Sequence, residues 1–336
     1  MSGPDHPGRA DSTGVGVGHR GLVRTRPGRR PSSPDWSVRE VLIEGAWRHR
    51  EITANGIRFH VVVGTGFSHD RPLVVLLHGF GEFWWAWRHQ IPALDAAGVS
   101  VAAVDLRGYA ATDKTPRGYR QAVTGPDVSA VIRSLGFQTA TVVGHDWGGI
   151  AAWSTYAYAP EQVTALVTVG APHPLSFPWL TMGPSLAWFQ LPIIPERVIM
   201  ARDGAYVEWL LRHRAGAGGG FPTAEEARHY RRALRLWPSP HCALEYLRMF
   251  GRDQLRGAGR SYRRTLATPV EVPVLTVRGS SDRLVPAVAM LPPARYAPAA
   301  HRHVEIGGAG HFPHEEAPAA VSEALIDWLA TVSPAP

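Results

Sequence analysis

An aspartate stands where a buried strand is expected to pass into a helix. The apolar stretch Ala140 to Val143 leads into Gly144-His-Asp-Trp-Gly-Gly149, and a helical pattern follows. The small residues around Asp146 suit a sharp, strained turn, because larger flanking side chains would clash there. A carboxylate is ionised at neutral pH and can attack an sp3 carbon without a base. The pattern therefore predicts that Asp146 is a nucleophile that displaces a leaving group and forms an ester with the substrate.

Hydrolysis of that ester requires an activated water, and thus a histidine that a second carboxylate orients. His311 is the best candidate among the 16 histidines, because it ends the glycine-rich loop Gly307-Gly-Ala-Gly-His311 after the last predicted strand. Asp282 is the candidate for orienting it, since it follows the predicted strand Val274 to Val277. We expect the neighbouring His314 to be a surface residue.

Alternating strand and helix patterns predict the scaffold that positions these residues. Asn55-Gly56 indicates a tight hairpin turn, and apolar runs of strand length then recur with helical patterns between them. The strand runs are 72–77, 99–104, 140–143, 163–169, 274–277 and 303–306, and the helical patterns are 83–97, 127–135, 150–158 and 319–329. We therefore expect an α/β fold with a mostly parallel, doubly wound sheet. Such sheets bind ligands at the carboxyl ends of their strands, where Asp146 would lie.

The alternation stops in one long internal stretch. Residues 173–266 are rich in Trp, Arg and Pro and have helical patches, so we expect a helical lid inserted before the last strands. Residues 39–172 and 267–336 would then form the core. Residues 1–38 are rich in Gly, Pro, Ser and Arg and have little to bury, which predicts a disordered tail.

Composition narrows the classes of function. The net charge is +7 and Lys114 is the only lysine, but the arginines are scattered and no nucleic-acid motif accompanies them, so we expect no nucleic-acid partner. No apolar run approaches the roughly 18 residues of a membrane span. We see no secretory signal, and a single cysteine, Cys242, suits a reducing cytoplasm. No cluster has metal-ligand spacing and no phosphate-binding loop is present, so we expect neither metal nor organic cofactor. The oligomeric state stays open.

The chain from residue 52 to 329 resembles the α/β-hydrolase superfamily, and within it the epoxide hydrolase and haloalkane dehalogenase branch. The matching motifs, in order, are His78-Gly79-Phe80, Asp105-Leu-Arg-Gly-Tyr109, Gly144-His-Asp-Trp-Gly-Gly149, Gly279-Ser-Ser-Asp282 and Gly310-His311. The Asp146 motif is the nucleophile elbow with aspartate in place of serine. The resemblance implies an α/β-hydrolase fold with an Asp146–His311–Asp282 triad. It also implies an oxyanion hole formed by the backbone N–H groups of Phe80 and Trp147. Gly81 stands where the family usually has proline.

Lid residues bear on the choice between epoxide and halide. Epoxide hydrolases that this chain resembles use lid tyrosines to protonate the ring oxygen. One such tyrosine usually precedes an aromatic-Phe-Gln-x-Pro stretch, but Ser185-Leu-Ala187 stands before Trp188-Phe-Gln-Leu-Pro192 here. The other lies in a Leu-x-x-Tyr-Arg pattern. In Leu244-Glu-Tyr-Leu-Arg248, Leu247 takes that place and Tyr246, a candidate donor, is one residue early, or about 100° around a helix.

We therefore expect an epoxide hydrolase that converts a small apolar epoxide and water to a vicinal diol. The alternative is a haloalkane dehalogenase with the same triad, in which Trp147 and a lid tryptophan solvate the halide. The candidates for that lid residue are Trp179, Trp188 and Trp209. A third hypothesis is a non-catalytic ligand-binding protein on this scaffold, against which the complete Asp–His–Asp set argues.

Overall fold

An eight-stranded sheet forms the centre of the protein in the computed structural model, which describes residues 37–176, 187–218, 220–253, 256–291 and 300–332. The strands are β1 (Trp47–Ala54), β2 (Ile57–Gly64), β3 (Leu73–Leu77), β4 (Ser100–Val104), β5 (Ala140–His145), β6 (Val163–Val169), β7 (Val274–Gly279) and β8 (His301–Ile306). Their order across the sheet is β1-β2-β4-β3-β5-β6-β7-β8.

The described helices flank this sheet in the core and gather in the stretch between β6 and β7. They are α1 (Gln90–Ala96), α2 (Gln121–Ser134), α3 (Trp147–Tyr158), α4 (Ile194–Arg214), α5 (Ala224–Arg235), α6 (Ser239–Asp253), α7 (Gly257–Leu266), α8 (Ala287–Met290), α9 (Pro313–Glu316) and α10 (Pro318–Val332). Short 3-10 helices cover Val38–Val41, Trp84–Trp87, Pro160–Gln162 and Pro174–Ser176. The α/β-hydrolase fold expected from the sequence is confirmed.

The directions of the strands follow from the connections between them. Asn55 and Gly56 have φ of 45° and 77°, the positive values that a type I′ turn requires, and they join β1 to β2 as an antiparallel hairpin. Strand β2 pairs antiparallel with β4. The pairs from β4 through β3, β5, β6 and β7 to β8 are parallel. Every residue of β3, β4 and β5 is buried, as expected for strands covered on both faces.

The helix predicted over residues 83–97 is broken in the structure. A 3-10 helix, Trp84–Trp87, is followed by the separate helix α1. Phe83 is extended, with φ of −156°, and the backbone N–H of Trp84 donates to Oδ1 of Asp105 at 2.8 Å. The carboxylate that follows β4 therefore accepts a hydrogen bond from the first N–H of this segment. All four residues of the 3-10 helix are buried.

Helices α4 to α7 make up most of the described part of residues 173–266. Helix α4 is bent, because Ala201, Arg202, Asp203 and Gly204 leave helical geometry. Residues 177–186, 219 and 254–255 of the predicted lid, and all but two residues of the predicted tail 1–38, lie outside the described residues. None of the described helices combines the length and the hydropathy that a membrane crossing would require.

Candidate active site

Asp146 occupies a strained turn between β5 and α3. Its φ and ψ are 47° and −113°, and it is the only residue from Ala140 to Tyr156 that is not buried. A Cβ atom at Gly144 would lie 2.1 Å from the carbonyl oxygen of Gly148, and one at Gly148 would lie 2.2 Å from that of Leu77. Only glycine fits at these two positions, so the sequence around Asp146 permits a turn that lifts its carboxylate above the sheet.

The loop after β3 approaches the same carboxylate. The backbone N–H of Phe80 donates to Asp146 Oδ2 at 3.0 Å. Gly81 has a φ of 80°, which proline cannot adopt because its ring holds φ near −65°. The backbone at Gly81, where the family usually has proline, is thus left-handed, and the N–H of the preceding residue, Phe80, still points at Asp146. Trp147 begins α3, so its N–H is among those without a partner inside the helix.

The structure brings His311 and Asp282 to Asp146. Nδ1 of His311 lies 2.9 Å from Asp282 Oδ2, and Nε2 of His311 lies 3.8 Å from Asp146 Oδ1. The other oxygen of Asp282 accepts hydrogen bonds from the backbone N–H groups of Leu284 and Val285, at 2.8 and 3.1 Å. Asp282 is therefore fixed by its own loop, and it orients the imidazole so that Nε2 faces Asp146.

The charges of these three groups are coupled. Burial alone would lower the pKa of His311, but the carboxylates of Asp282 and Asp146 raise it to about 9. Burial would likewise raise the pKa of Asp146 and of Asp282, but His311 reverses the effect and the pKa of each carboxyl is lowered. The resting site is therefore a protonated imidazole between two carboxylates.

The loop that carries His311 is held from two sides. The backbone N–H of His311 donates to the carbonyl oxygen of Arg214, at the end of α4, at 2.8 Å. Glu316 Oε2 accepts from the backbone N–H groups of Gly310 and Gly216, at 2.9 and 2.7 Å. The helical insertion thus contacts the histidine loop directly, and the sequence patterns did not indicate a role for Glu316.

A buried carboxylate missed in the sequence joins the loops around Asp146. Glu82 Oε2 accepts from the backbone N–H of Gly79 at 2.6 Å and lies 2.7 Å from Nδ1 of His145. Nε2 of His145 lies 2.9 Å from the carbonyl oxygen of His311. Burial would raise the pKa of Glu82, but His145 keeps it well below the usual range. Glu82 and His145 therefore link the loop after β3, the turn at Asp146 and the loop that carries His311.

His314, which we expected at the surface, is completely buried. Its ring packs against Trp87, with the ring centres 4.6 Å apart, and its Nε2 lies 3.4 Å from Glu82 Oε1. Burial lowers the pKa of His314 to about 4, so it is neutral at physiological pH. The ligand atoms of Glu82, His145 and His314 lie within 4.8 Å of one another, and within the described ranges they form the group whose geometry could hold a metal ion.

Tyr246, the candidate proton donor, is not directed at Asp146. Its buried hydroxyl donates to the backbone carbonyl oxygen of Arg107 at 3.0 Å, so its one proton is engaged there. The centre of its ring is 6.4 Å from that of Trp147. On α6 the Tyr246 side chain therefore turns toward the loop after β4.

The candidate halide-binding tryptophans lie in different surroundings. Trp179 lies outside the described residues. Trp209 is 51% exposed and stacks on Tyr206. Trp188 is half-buried and packs against Phe189, whose ring centre is 6.1 Å from that of Phe80. Of the two described tryptophans, Trp188 is thus the one whose ring neighbour, Phe189, lies near Phe80.

A cavity of about 740 Å³ lies at the amino ends of the central strands. Its lining includes Leu73, Thr141 and Thr164, which stand at the amino ends of β3, β5 and β6. Asp146 follows the carboxyl end of β5, so this cavity lies at the opposite end of that strand from Asp146.

Known proteins resemble this chain over most of its length. Residues 72–195 match the family described as alpha/beta hydrolase fold. The AB hydrolase superfamily protein YfhM of Bacillus subtilis is 31% identical over 289 residues, which cover 83% of this chain and 96% of that protein. Epoxide hydrolase 3 of Xenopus tropicalis is 31% identical over 294 residues, covering 82% and 75%. The solved structure of an epoxide hydrolase from an endophytic Streptomyces has a TM-score of 0.72 at 28% identity, covering 85% and 96%.

Proposed function

Because this chain belongs to the α/β-hydrolase superfamily, we propose that it hydrolyses a small apolar epoxide to a vicinal diol through a covalent ester on Asp146. The observation that carries the proposal is the accessible carboxylate of Asp146. One of its oxygens accepts a hydrogen bond from the Phe80 N–H, and the other faces His311. The named relatives support the epoxide as substrate, since epoxide hydrolases recur among the similar sequences and structures.

In the first step, Asp146 attacks a ring carbon and the carbon–oxygen bond of the ring breaks. The lowered pKa of Asp146 keeps it ionised for this attack. Oδ2 is occupied by the Phe80 N–H, so Oδ1 is the oxygen free to form the new bond. The ring oxygen leaves as an alkoxide unless a proton reaches it, which makes a proton donor necessary.

In the second step, water attacks the carbonyl carbon of the ester. Formation of the ester removes the negative charge of Asp146, which is one of the two charges that raise the pKa of His311. The pKa of His311 therefore falls when the ester is present, so the imidazole can lose its proton and act as a base, and Asp282 keeps its Nε2 directed at the site. The oxyanion then forms on Oδ2, where the N–H groups of Phe80 and Trp147 stabilise it.

The helical insertion, residues 173–266, serves in this proposal as a lid over a core of residues 39–172 and 267–336. The hydrogen bond from the His311 N–H to Arg214 supports it, because the end of α4 then sets the position of the catalytic loop. A lid of this kind excludes bulk water from the ester until a single water is activated.

Product analysis tests the proposal. Purified protein is given a panel of aryl and alkyl epoxides and haloalkanes, beside Asp146→Ala and the control Asp327→Asn, which changes an exposed carboxylate on α10. We expect diol from wild type and from the control, and none from Asp146→Ala. A single turnover in H₂¹⁸O should give unlabelled diol and place the label in Asp146. Label in the diol on the first turnover would exclude the covalent ester, and halide release without diol would identify a dehalogenase.

A further inference from the structure

We propose that Tyr109 donates the proton to the ring oxygen as Asp146 attacks; this assignment rests on the proposed function. An acid is required because an alkoxide is a poor leaving group, and enzymes meet such a need with a positioned side chain. Tyr246 does not supply it in this structure, since its hydroxyl proton is bound to the carbonyl oxygen of Arg107.

Tyr109 is set apart from the other buried tyrosines by its hydroxyl. Its side chain is only 1% exposed, and within the described part of the chain its hydroxyl has no hydrogen-bond partner. The other buried tyrosine hydroxyls are bonded: Tyr119 to Thr115, Tyr156 to Glu271, Tyr230 to Glu315, Tyr246 to Arg107 and Tyr262 to Ser154. Buried hydroxyls normally have such partners, so an unpartnered one within range of the Asp146 charge points to a ligand as its partner.

Two ring contacts link Tyr109 to the surroundings of Asp146. On one side its ring meets the ring of His78 edge-on, with centres 4.7 Å apart, and His78 begins the loop whose Phe80 N–H binds Asp146. On the other side it lies 5.8 Å from the ring of Tyr246, which in turn lies 6.4 Å from that of Trp147. The Tyr109 ring thus contacts His78, at the start of the loop after β3, and Tyr246, whose own ring contacts Trp147.

The turn that carries Tyr109 is tightly constrained. Gly108 and Ala110 on either side have φ of 83° and 38°. A Cβ atom at Gly108 would lie 2.4 Å from Cβ of Cys242 on α6, so the turn packs directly against the helical insertion. A strained turn of this kind at the end of β4 fixes the direction of the phenol, as a proton donor requires.

The charge of Asp146 couples Tyr109 to the reaction. Burial raises the pKa of Tyr109 well above its usual value, and Asp146 is the charged group that raises it most. The phenol is therefore protonated before the reaction. When Asp146 forms the ester its charge disappears, so Tyr109 becomes a stronger acid at the moment when the alkoxide needs a proton.

The proton balance closes over the two steps. In the first, the bond from Asp146 to carbon forms, the ring carbon–oxygen bond breaks, and the phenol proton passes to the ring oxygen and leaves tyrosinate. In the second, His311 releases to solvent the proton that it holds at rest, takes a proton from the attacking water and gives that proton to the departing alcohol. His311 takes a proton back from solvent at the end of the cycle. Asp146 is regenerated as a carboxylic acid, and its proton returns to Tyr109. The sum is epoxide plus water giving diol.

Rapid-mixing experiments on the full-length protein with an aryl epoxide test the assignment. Tyr109→Phe removes only the hydroxyl, and Tyr119→Phe is the matched control, because that hydroxyl bonds to the backbone of Thr115. We expect Tyr109→Phe to slow ester formation about 100-fold while ester hydrolysis stays within about threefold of wild type. Tyr119→Phe should leave both rates within about threefold, and all three proteins should have similar melting temperatures.

The outcomes separate this proposal from the proposed function. If the wild-type protein opens no epoxide in the panel, the proposed function is wrong, and the role of Tyr109 as proton donor in that reaction is wrong with it. If wild type forms diol and Tyr109→Phe forms the ester at the wild-type rate, the proposed function stands and Tyr109 is not the acid. An equal loss in both steps would also overturn the assignment, because it would indicate a structural defect. Slow ester formation in Tyr246→Phe alone would transfer the role to Tyr246.

Discussion

The charge of Asp146 controls the protonation of His311, and Asp146→Asn tests this control. In the resting site the pKa of His311 is raised to about 9, after burial has acted against it, by Asp282 and Asp146. Asparagine has nearly the same shape as aspartate and lacks the charge, so the variant imitates the electrostatics of the ester. We expect the pKa of His311 to fall in Asp146→Asn, and Asp282 to keep it from falling further.

The distance between the two side chains sets the size of this fall. Nε2 of His311 lies 3.8 Å from Oδ1 of Asp146, and the Asp146 side chain is 18% exposed. With an effective dielectric constant of about 20, two unit charges at this distance attract by about 4 kcal/mol, or about three pH units of pKa. Solvent at the exposed face weakens the attraction, so we expect a fall of about one to three pH units.

Histidine-labelled protein observed by NMR over a pH series measures this change. The chain has 16 histidines, and the resonance of His311 is assigned by its absence from the spectrum of His311→Gln. Asp327→Asn serves as the charge-matched control, and intact mass shows whether the asparagine introduced in Asp146→Asn has deamidated. A pKa of His311 in Asp146→Asn within about 0.3 of wild type would refute the reasoning. His311 would then not be primed by ester formation, and the second step would need another explanation.

Three further outcomes rest on the same contacts. His311→Gln should still form the ester but not hydrolyse it, so intact protein exposed to an epoxide should gain the mass of the substrate; normal steady-state turnover would remove His311 from its role. The pKa of His311 is raised to about 9 in the folded state, so its ionic contacts contribute stability in full below about pH 6.5 and lose it as pH rises to about 9. The loss is about 3 kcal/mol at most, and the melting temperature should fall by several degrees over this range in wild type but not in His311→Gln. Gly148→Ala should lower the free energy of unfolding by about 2–4 kcal/mol in urea, because its Cβ would lie 2.2 Å from the Leu77 carbonyl oxygen. Gly307→Ala is the control: a Cβ there has nothing within 4 Å, so stability should change by less than about 0.5 kcal/mol. Similar losses of stability in the two variants would contradict the close approach at Gly148.

Local patterns were sufficient for much of the scaffold. The Asn55-Gly56 turn and the apolar runs of β3 to β7 were predicted at nearly the observed bounds, because turn geometry and the burial of a strand depend on adjacent residues. The glycines around Asp146 likewise predicted a turn that the structure forms with a φ of 47°. The prediction failed over residues 83–97, where the Trp84 N–H bonds to Asp105, a residue 21 positions further along the chain.

The sequence by itself thus determined the order of strands and helices, the position of Asp146 in its turn, and the two loops that carry His311 and Asp282. Only the tertiary structure decided what surrounds them. Glu82 meets His145 from 63 residues away, and the Tyr246 hydroxyl meets the Arg107 carbonyl from 139 residues away, which leaves Tyr109 as the unpartnered phenol among the buried tyrosines of the described ranges. The physical reason is that a buried polar group takes its partner from whichever distant segment packs against it, and spacing along the chain carries no record of that choice.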